Sequence, residues 1–238
     1  MKRLLTVLVA GLGGAAAYLA TQDFPYSTQA WAGCDEQARP GVQWEDCRKR
    51  NLIMQGTDFS GANMARSDLS SSDLRQIKLG KADMQKANLT RASLMGAQAV
   101  DVNFTGVSGN RTDFSDGNFT NSVFLKAEIS RANFKNSILS NADLSKAELS
   151  RVNFNGANLS GVNFNYSSLA RADLRNSTFD KPFSMKGTFL YRARIEGLDL
   201  SNVEGLAAWQ VEMACGDKDT KLPDGISRPQ NWPCSAIY

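Results

Sequence analysis

Between residues 54 and 189 a large apolar side chain returns at every fifth position. The series opens with Met54, Phe59, Met64, Leu69 and Leu74, and of its 28 centres only Ala99, Gly109 and Ser184 are not Leu, Ile, Met or Phe. Two residues before most centres stands a small side chain, as at Ala82, Ala87, Ala92, Ala127, Ala132, Ala142 and Ala147. One residue before, Asp or Asn dominates, as at Asp58, Asn63, Asp68, Asp73, Asp83 and Asn88. Five is neither the helical period of 3.6 nor the strand period of 2. One small and one large inward residue per five suits a chain that turns a corner every pentapeptide. The Asp, Asn, Ser and Gly positions between them carry turn chemistry.

A second period lies over the first. In the stretch from 130 to 154, SRANFKNSILSNADLSKAELSRVNF, arginine recurs at Arg131 and Arg151, twenty residues apart. The units ANLSG, ADLSK, ADLRN and ANLTR resemble the A-[DN]-L-x-x repeat of the pentapeptide repeat family, and the resemblance runs from about residue 42 to 200. That resemblance implies an all-β fold, a right-handed quadrilateral β-helix in which four pentapeptides make one square coil of twenty residues. Residues twenty apart then stack above one another. The 28 pentapeptides give about seven coils plus degenerate end coils, and a rod about 34 Å long at about 4.8 Å per coil.

Solenoid ends expose strand edges and need caps. At the N-terminal end Val42 and Cys47 fall on the small inward position and Trp44 on a centre, which predicts a cap and degenerate first coil over 33–51. Repeats follow over 52–200. Near the other end the register moves by one residue, to Ile195 and Leu200. Ser201 to Glu204 reads as a capping box, and Leu206, Trp209 and Met213 follow at helical spacing. A capping helix and a Pro/Gly-rich tail are therefore predicted over 201–238, with the helix laying its apolar face on the last coil.

The four cysteines fall in two terminal pairs, Cys34 with Cys47 and Cys215 with Cys234. Four cysteines allow three connectivities, and local pairing is favoured because each pair brackets a short segment at the edge of the repeats. A zinc site is the alternative, but the chain has no C-x₂-C spacing and no histidine. Disulfides point to an oxidising compartment.

The first residues support export. Lys2 and Arg3 precede an apolar run from Leu4 to Ala20, and Ala30-Trp31-Ala32 offers a cleavage site, so residues 1–32 read as a secretory signal peptide. The alternatives are a retained membrane anchor, since the run is at the lower limit of a spanning helix, or lipidation at Cys34 in the sequence WAGC. The expected location is periplasmic or secreted, with membrane anchoring only in those two cases. Loss of residues 1–32 removes Lys2, Arg3 and Asp23 and leaves 25 basic and 23 acidic residues, a net charge of +2. Any electrostatic message must lie in the pattern.

That pattern has one sharp feature. At the second position after the centre, one edge carries Ser71, Arg91, Arg111, Arg131, Arg151, Arg171 and Tyr191, and the neighbouring face adds Arg66, Lys86, Lys126, Lys146 and Lys186. Like charges about 4.8 Å apart repel, so the column does not serve folding in any obvious way. It reads as a linear site for the carboxylate, phosphate or sulfate groups of a partner protein or an anionic envelope polymer. The plainer reading is a solvated edge balanced by Glu128, Glu148, Asp113 and Asp173.

Other chemistry is poorly supported. Without histidine the commonest general base is missing. Glu128 and Glu148 stack one coil apart, near the separation of retaining glycosidases, but on a flat face with nothing to raise one pKa. No enzyme activity, cofactor or metal is expected. Some members of the resembled family bind DNA gyrase by imitating duplex DNA with acidic surfaces, whereas this chain is slightly basic. Nucleic-acid binding lacks aromatic residues beside the basic edge, and the calcium-binding G-G-x-G-x-D repeat is absent. Two register defects remain: Gly109 empties a core position and is expected to pinch or bulge the rod, and the stretch KPFSM places Pro182 and Ser184 inward with Phe183 and Met185 outward. The expected reading is a non-enzymatic structural or protein-interaction scaffold of the cell envelope, with an anionic-polymer or lipid-headgroup module as the alternative.

Overall fold

The computed structural model describes residues 33–234, so the expected signal segment and its membrane-anchor alternative lie outside the described residues. Within them the chain winds as a right-handed quadrilateral β-helix. Each face contributes a single parallel bridge to the coil above, from Gln43↔Asn63 through Asn158↔Thr178 in unbroken steps of twenty. Phe134 N–H donates to Asn153 O at 2.7 Å and Asn133 N–H to Thr112 O at 3.0 Å, so backbone groups on a face are satisfied from above and below.

Every face ends in a tight turn. In the pentapeptide around Ile129, the Ala132 N–H returns to Ile129 O at 3.1 Å, and the third residue of the turn, Arg131, has φ of 62°. Positive φ there is the type II pattern, which favours Gly or Asn. Where the residue before a centre is Asx, it can hold the turn twice over. Asn133 Oδ1 accepts the Lys135 N–H at 3.2 Å, and Asn133 Nδ2 donates to Asp113 Oδ1 one coil below at 3.0 Å.

The interior holds two alternating kinds of column, small and large. Ala132, Ala142, Ala147 and Ala157 are buried, and beside them Phe104 stacks on Phe124 and Phe114 on Phe134, each pair at 4.6 Å between ring centroids. Where the small residue is Ser or Thr, its hydroxyl is absorbed by a backbone carbonyl, as from Ser137 to Phe134 O at 2.8 Å. Gly109 does not disturb the rod: its N–H still bonds Glu128 O at 2.8 Å. A Cβ there would lie 2.9 Å from Ile129 Cγ2 and 3.0 Å from Thr112 Oγ1, so larger neighbours already occupy the space.

The expected register fails after Phe179. Asn163 pairs with Ser184 and Ser168 with Phe189, a step of 21, so one residue is inserted between Thr178 and Ser184. Phe183 and Met185 are therefore buried, not outward, and Phe189, read as a core centre, is exposed. The extra residue sits beside exposed Pro182, which has no N–H to satisfy, while Phe179 packs edge-on against Phe183 at 4.8 Å.

The capping helix also differs. Ser201 to Glu204 continues the coil, with Val203 buried and Glu204 bridged to Ser184. The helix, α1, spans Ala208–Met213 and starts at Ala207, whose N–H donates to Gln210 Oε1 at 2.8 Å. It buries Gln210 and Val211, and Trp209 is left half exposed. Gln210 is the pin: its Nε2 donates to Met185 O at 2.7 Å and Thr188 O at 2.9 Å on the coil below. Propensity cannot hold six residues in a helix; these contacts do.

Both cysteine pairs are joined locally, Cys34–Cys47 and Cys215–Cys234. At the first cap, Trp44 is buried with its Nε1 donating to Glu36 O, and Lys49 Nζ lies 4.2 Å over its ring. At the last, Trp232 Nε1 donates to Ala214 O at 2.8 Å, and Gly216 makes room for the indole, which would lie 2.3 Å from any Cβ.

Phe134 lies in the middle of the ring stack, so Phe134→Ala is expected to lower unfolding free energy by about 3–5 kcal/mol in urea titration. Carboxylates held below their ordinary value occur along the rod, at Asp46, Asp58, Asp73, Asp173 and Asp180, and at its C-terminal end. There hydrogen bonds from Lys221 and Ser201 hold the Asp199 carboxyl down at about 2, below its ordinary 3.8. Burial pushes Asp217 up, but its bonds from Thr220, Gly197 and Asp219 outweigh this and lower it. Depressed carboxylates stabilise the fold above their unfolded pKa and lose that contribution as pH falls through the folded one. The near-UV signal of Trp232 should therefore weaken between about pH 4 and 2, and a signal unchanged down to about pH 2 would show that these carboxylates do not hold the C-terminal end.

Candidate functional site: an unpaired arginine corner

Four columns of positive-φ residues mark the corners of the rod. Two follow conformational preference closely. One reads Gly61, Lys81, Asp101, Asn121, Asn141, Gly161, and the adjacent one Gly56, Gln76, Gly96, Asp116, Asn136, Gly156, Asn176, Gly197. All but Lys81 and Gln76 are Gly, Asn or Asp, the residues that occupy this region with least strain. The third column contains Arg66, Lys86, Gly106, Lys126, Lys146, Tyr166 and Gly187.

The fourth is the arginine column. From Asn51 and Ser71 it runs through Arg91, Arg111, Arg131, Arg151 and Arg171, all with φ near +60°. The one-residue insertion then changes its end. Arg171 N–H bonds Tyr191 O, and Asp173 pairs with Arg194, so the residue stacked above Arg171 is Arg192, not Tyr191. Six arginines therefore form one unbroken corner. The first five are exposed and Arg192 is half-buried.

Among the described residues, six arginines off this corner form ion pairs, Arg39, Arg50, Arg66, Arg75, Arg175 and Arg194, while Arg48 and Arg228 form none. Arg66 bonds Asp46 and Glu45, which raise its pKa further; Arg75 bonds Asp73 at 2.6 Å; Arg175 bonds Asp173 at 2.7 Å; Arg194 bonds Glu196 at 3.0 Å. Among the described residues none of the six corner arginines forms an ion pair, nor does Lys86, Lys126 or Lys146 on the neighbouring corner. The carboxylates expected to balance the edge are engaged elsewhere or free of it. Asp113 accepts from Ser115 and Asn133, Asp173 from Arg175, and Glu148 from Ser150. Glu128 and Glu148 sit in parallel bridge on the face between the lysine and arginine corners. No cluster of three or more potential metal ligands occurs among the described residues.

Beside the column lie short polar side chains, and Thr90, Asn110, Arg91, Arg111 and Arg131 line a shallow, open depression. At the C-terminal end the register change brings out aromatic residues that the sequence alone had placed elsewhere. Phe189 and Tyr191 are 44% and 42% exposed and stack on each other at 6.2 Å, 15° from parallel. The Arg192 guanidinium lies 5.6 Å from the Tyr191 ring. Tyr166, on the lysine corner of the same face, lies against Gly187 one coil above. The basic edge does have aromatic neighbours, at one end only.

The sequence model described as pentapeptide repeats matches this chain in eight copies between residues 50 and 180. The chain belongs to that family. Two solved pentapeptide repeat structures share its fold. HetL, a protein involved in heterocyst differentiation regulation from the cyanobacterium Nostoc sp. strain PCC 7120, is 21% identical, with a TM-score of 0.53 over 88% of this chain and 96% of its own. QnrB1, a plasmid-mediated fluoroquinolone resistance protein, is 16% identical, with a TM-score of 0.51 over 76% of this chain and 91% of its own. At these identities the likeness is one of fold. No curated protein sequence matches this chain significantly.

A pentapeptide repeat turn would rather hold Asn than Arg at its third residue. Arg131→Asn is therefore expected to raise stability, by about 1 kcal/mol from backbone strain alone, measured by urea unfolding at low salt. A loss of stability would make the corner a structural element of the coil.

Proposed function

We propose that this pentapeptide repeat protein is a non-enzymatic binding scaffold, exported to the periplasmic or outer side of the cell envelope. Its working surface is the arginine corner, and its partner is an anionic macromolecule. The observation that carries this reading is the unpaired column itself. Six arginines stand in line without a carboxylate, in a backbone region that two other corners fill mostly with Gly, Asn and Asp. Neighbouring charges at one-coil spacing repel by up to about 1 kcal/mol per pair in water. An arrangement that opposes folding in two ways is accounted for by a ligand that relieves it. Export is supported by the basic and apolar leader with its A-x-A site, and by two disulfides.

The test is capture of partners from an envelope fraction on the oxidised protein, at about 50 and 500 mM salt, beside an Arg111→Gln, Arg131→Gln, Arg151→Gln triple variant. The expected result is a ligand retained only by the unaltered protein at low salt. A ligand held equally in all arms would move the site to the caps or another face.

A further inference from the structure

The repeat distance of the column restricts what can lie along it. Arg91 to Arg192 spans five coil steps, a straight row about 24 Å long at about 4.8 Å per step. A straight row of cations is matched by anions that are also in line and similarly spaced. An α-helix with an acidic stripe presents one carboxylate per turn, about 5.4 Å apart. The mismatch is about 0.6 Å per step, or about 3 Å over the whole row, within the swing of long arginine side chains. An extended acidic peptide presents same-side residues about 6.8 Å apart. It falls about 2 Å behind at each step and loses register by two whole coils. The phosphates of a duplex wind around its axis and leave a straight edge after a few charges.

The aromatic end supplies what a row of identical charges lacks. Phe189 and Tyr191 are stacked and half exposed beside Arg192, Tyr166 is 56% exposed across the same face, and Trp209 is 50% exposed on α1, the helix that stands over that face. Of the seven large hydrophobic residues exposed among the described residues, these four gather at one end of the rod. Tyr, Trp and Arg are the residues that dominate binding energy at protein interfaces. An apolar anchor at one end fixes direction and register, which charge alone leaves free to slide.

Resting on the proposed function above, we infer that the occupant is a protein segment: an acidic α-helix laid along the arginine corner, with an apolar residue at one end seated on the Phe189–Tyr191 patch. The row of carboxylates gives attraction and on-rate, and the aromatic anchor gives specificity.

The test uses the full oxidised protein and synthetic peptides of about 20 residues, long enough to span the row at 1.5 Å rise per residue. One carries Glu at successive i, i+4, i+7 and i+11 positions with Leu near one end. A second has the same composition with Glu at every other residue. A heparin fragment and a short DNA duplex are the non-protein arms. The helix-register peptide is expected to bind at least tenfold more tightly than its permuted form. It should lose that affinity in the triple Gln variant and several-fold in Phe189→Ser, Tyr191→Ser. Equal binding of the two peptides, or binding of heparin or DNA alone, would overturn the helix while leaving the arginine corner as an anion site. If no anion of any kind binds, both the helix and the arginine-corner reading fall.

Discussion

The structure depends on one constraint, that a type II turn must close after every five residues so that twenty residues return the chain to the same corner. The turn is held by a backbone bond such as Ala132 N–H to Ile129 O and, at many centres, by the carbonyl of the preceding Asx. Because the coil closes, one small and one large side chain per pentapeptide are carried inward, and rings such as Phe114 and Phe134 meet in parallel stacks. Because it closes at the same length each time, every outward position becomes a column. Any side chain repeated at twenty residues is converted into a line. The surface chemistry of the rod is therefore a direct consequence of its backbone period.

This explains why so much could be read from the chain itself. The five-residue period gave a corner at every pentapeptide, units such as ADLSK resembled the repeat family and so implied the β-helix, the twenty-residue period gave the arginine column, and the positions of Val42, Trp44 and Cys47 gave the first cap. Gly109 was misread as a defect that its larger neighbours fill. The other misreadings lie mostly after Phe179, and one inserted residue accounts for most of them. Steps of five counted forward from Met54 place Phe189 in the core and Tyr191 on the arginine corner. Counted backward from Ile195 they place Leu190 and Met185 in the core, which is what the structure has. The stretch FDKPF, with its proline, marked the insertion. Spacing alone did not fix which side of it each residue fell.

The start of the short helix was misplaced for a different reason. Ser201 to Glu204 has the composition of a capping box, but Val203 and Glu204 fit the coil period and the preceding coil offers Glu204 a bridge at Ser184. Tertiary pairing overrode the local signal. The actual helix start relies on the Gln210 side chain reaching Ala207 and the carbonyls of Met185 and Thr188. Those are contacts across a coil, invisible in a linear pattern. The pairs of Arg66 with Glu45 and Asp46 and of Arg50 with Asp68 are likewise contacts across a coil, whereas Arg75, Arg175 and Arg194 each pair with a carboxylate two residues away in sequence.

The account rests on the arginine corner being unsatisfied in the free protein. Two corners of the same rod show what the turn prefers, and six paired arginines show how this chain neutralises a guanidinium when folding is the purpose. The corner from Arg91 to Arg192 does neither. The most direct test is the melting temperature as a function of salt, for the unaltered protein and for the Arg111→Gln, Arg131→Gln, Arg151→Gln variant. The account predicts that the unaltered protein melts lower than the variant at low ionic strength and that the difference shrinks as salt screens the column. A variant that melts lower at low salt would show the arginines stabilising the fold, and the claim of an unsatisfied binding edge would fail.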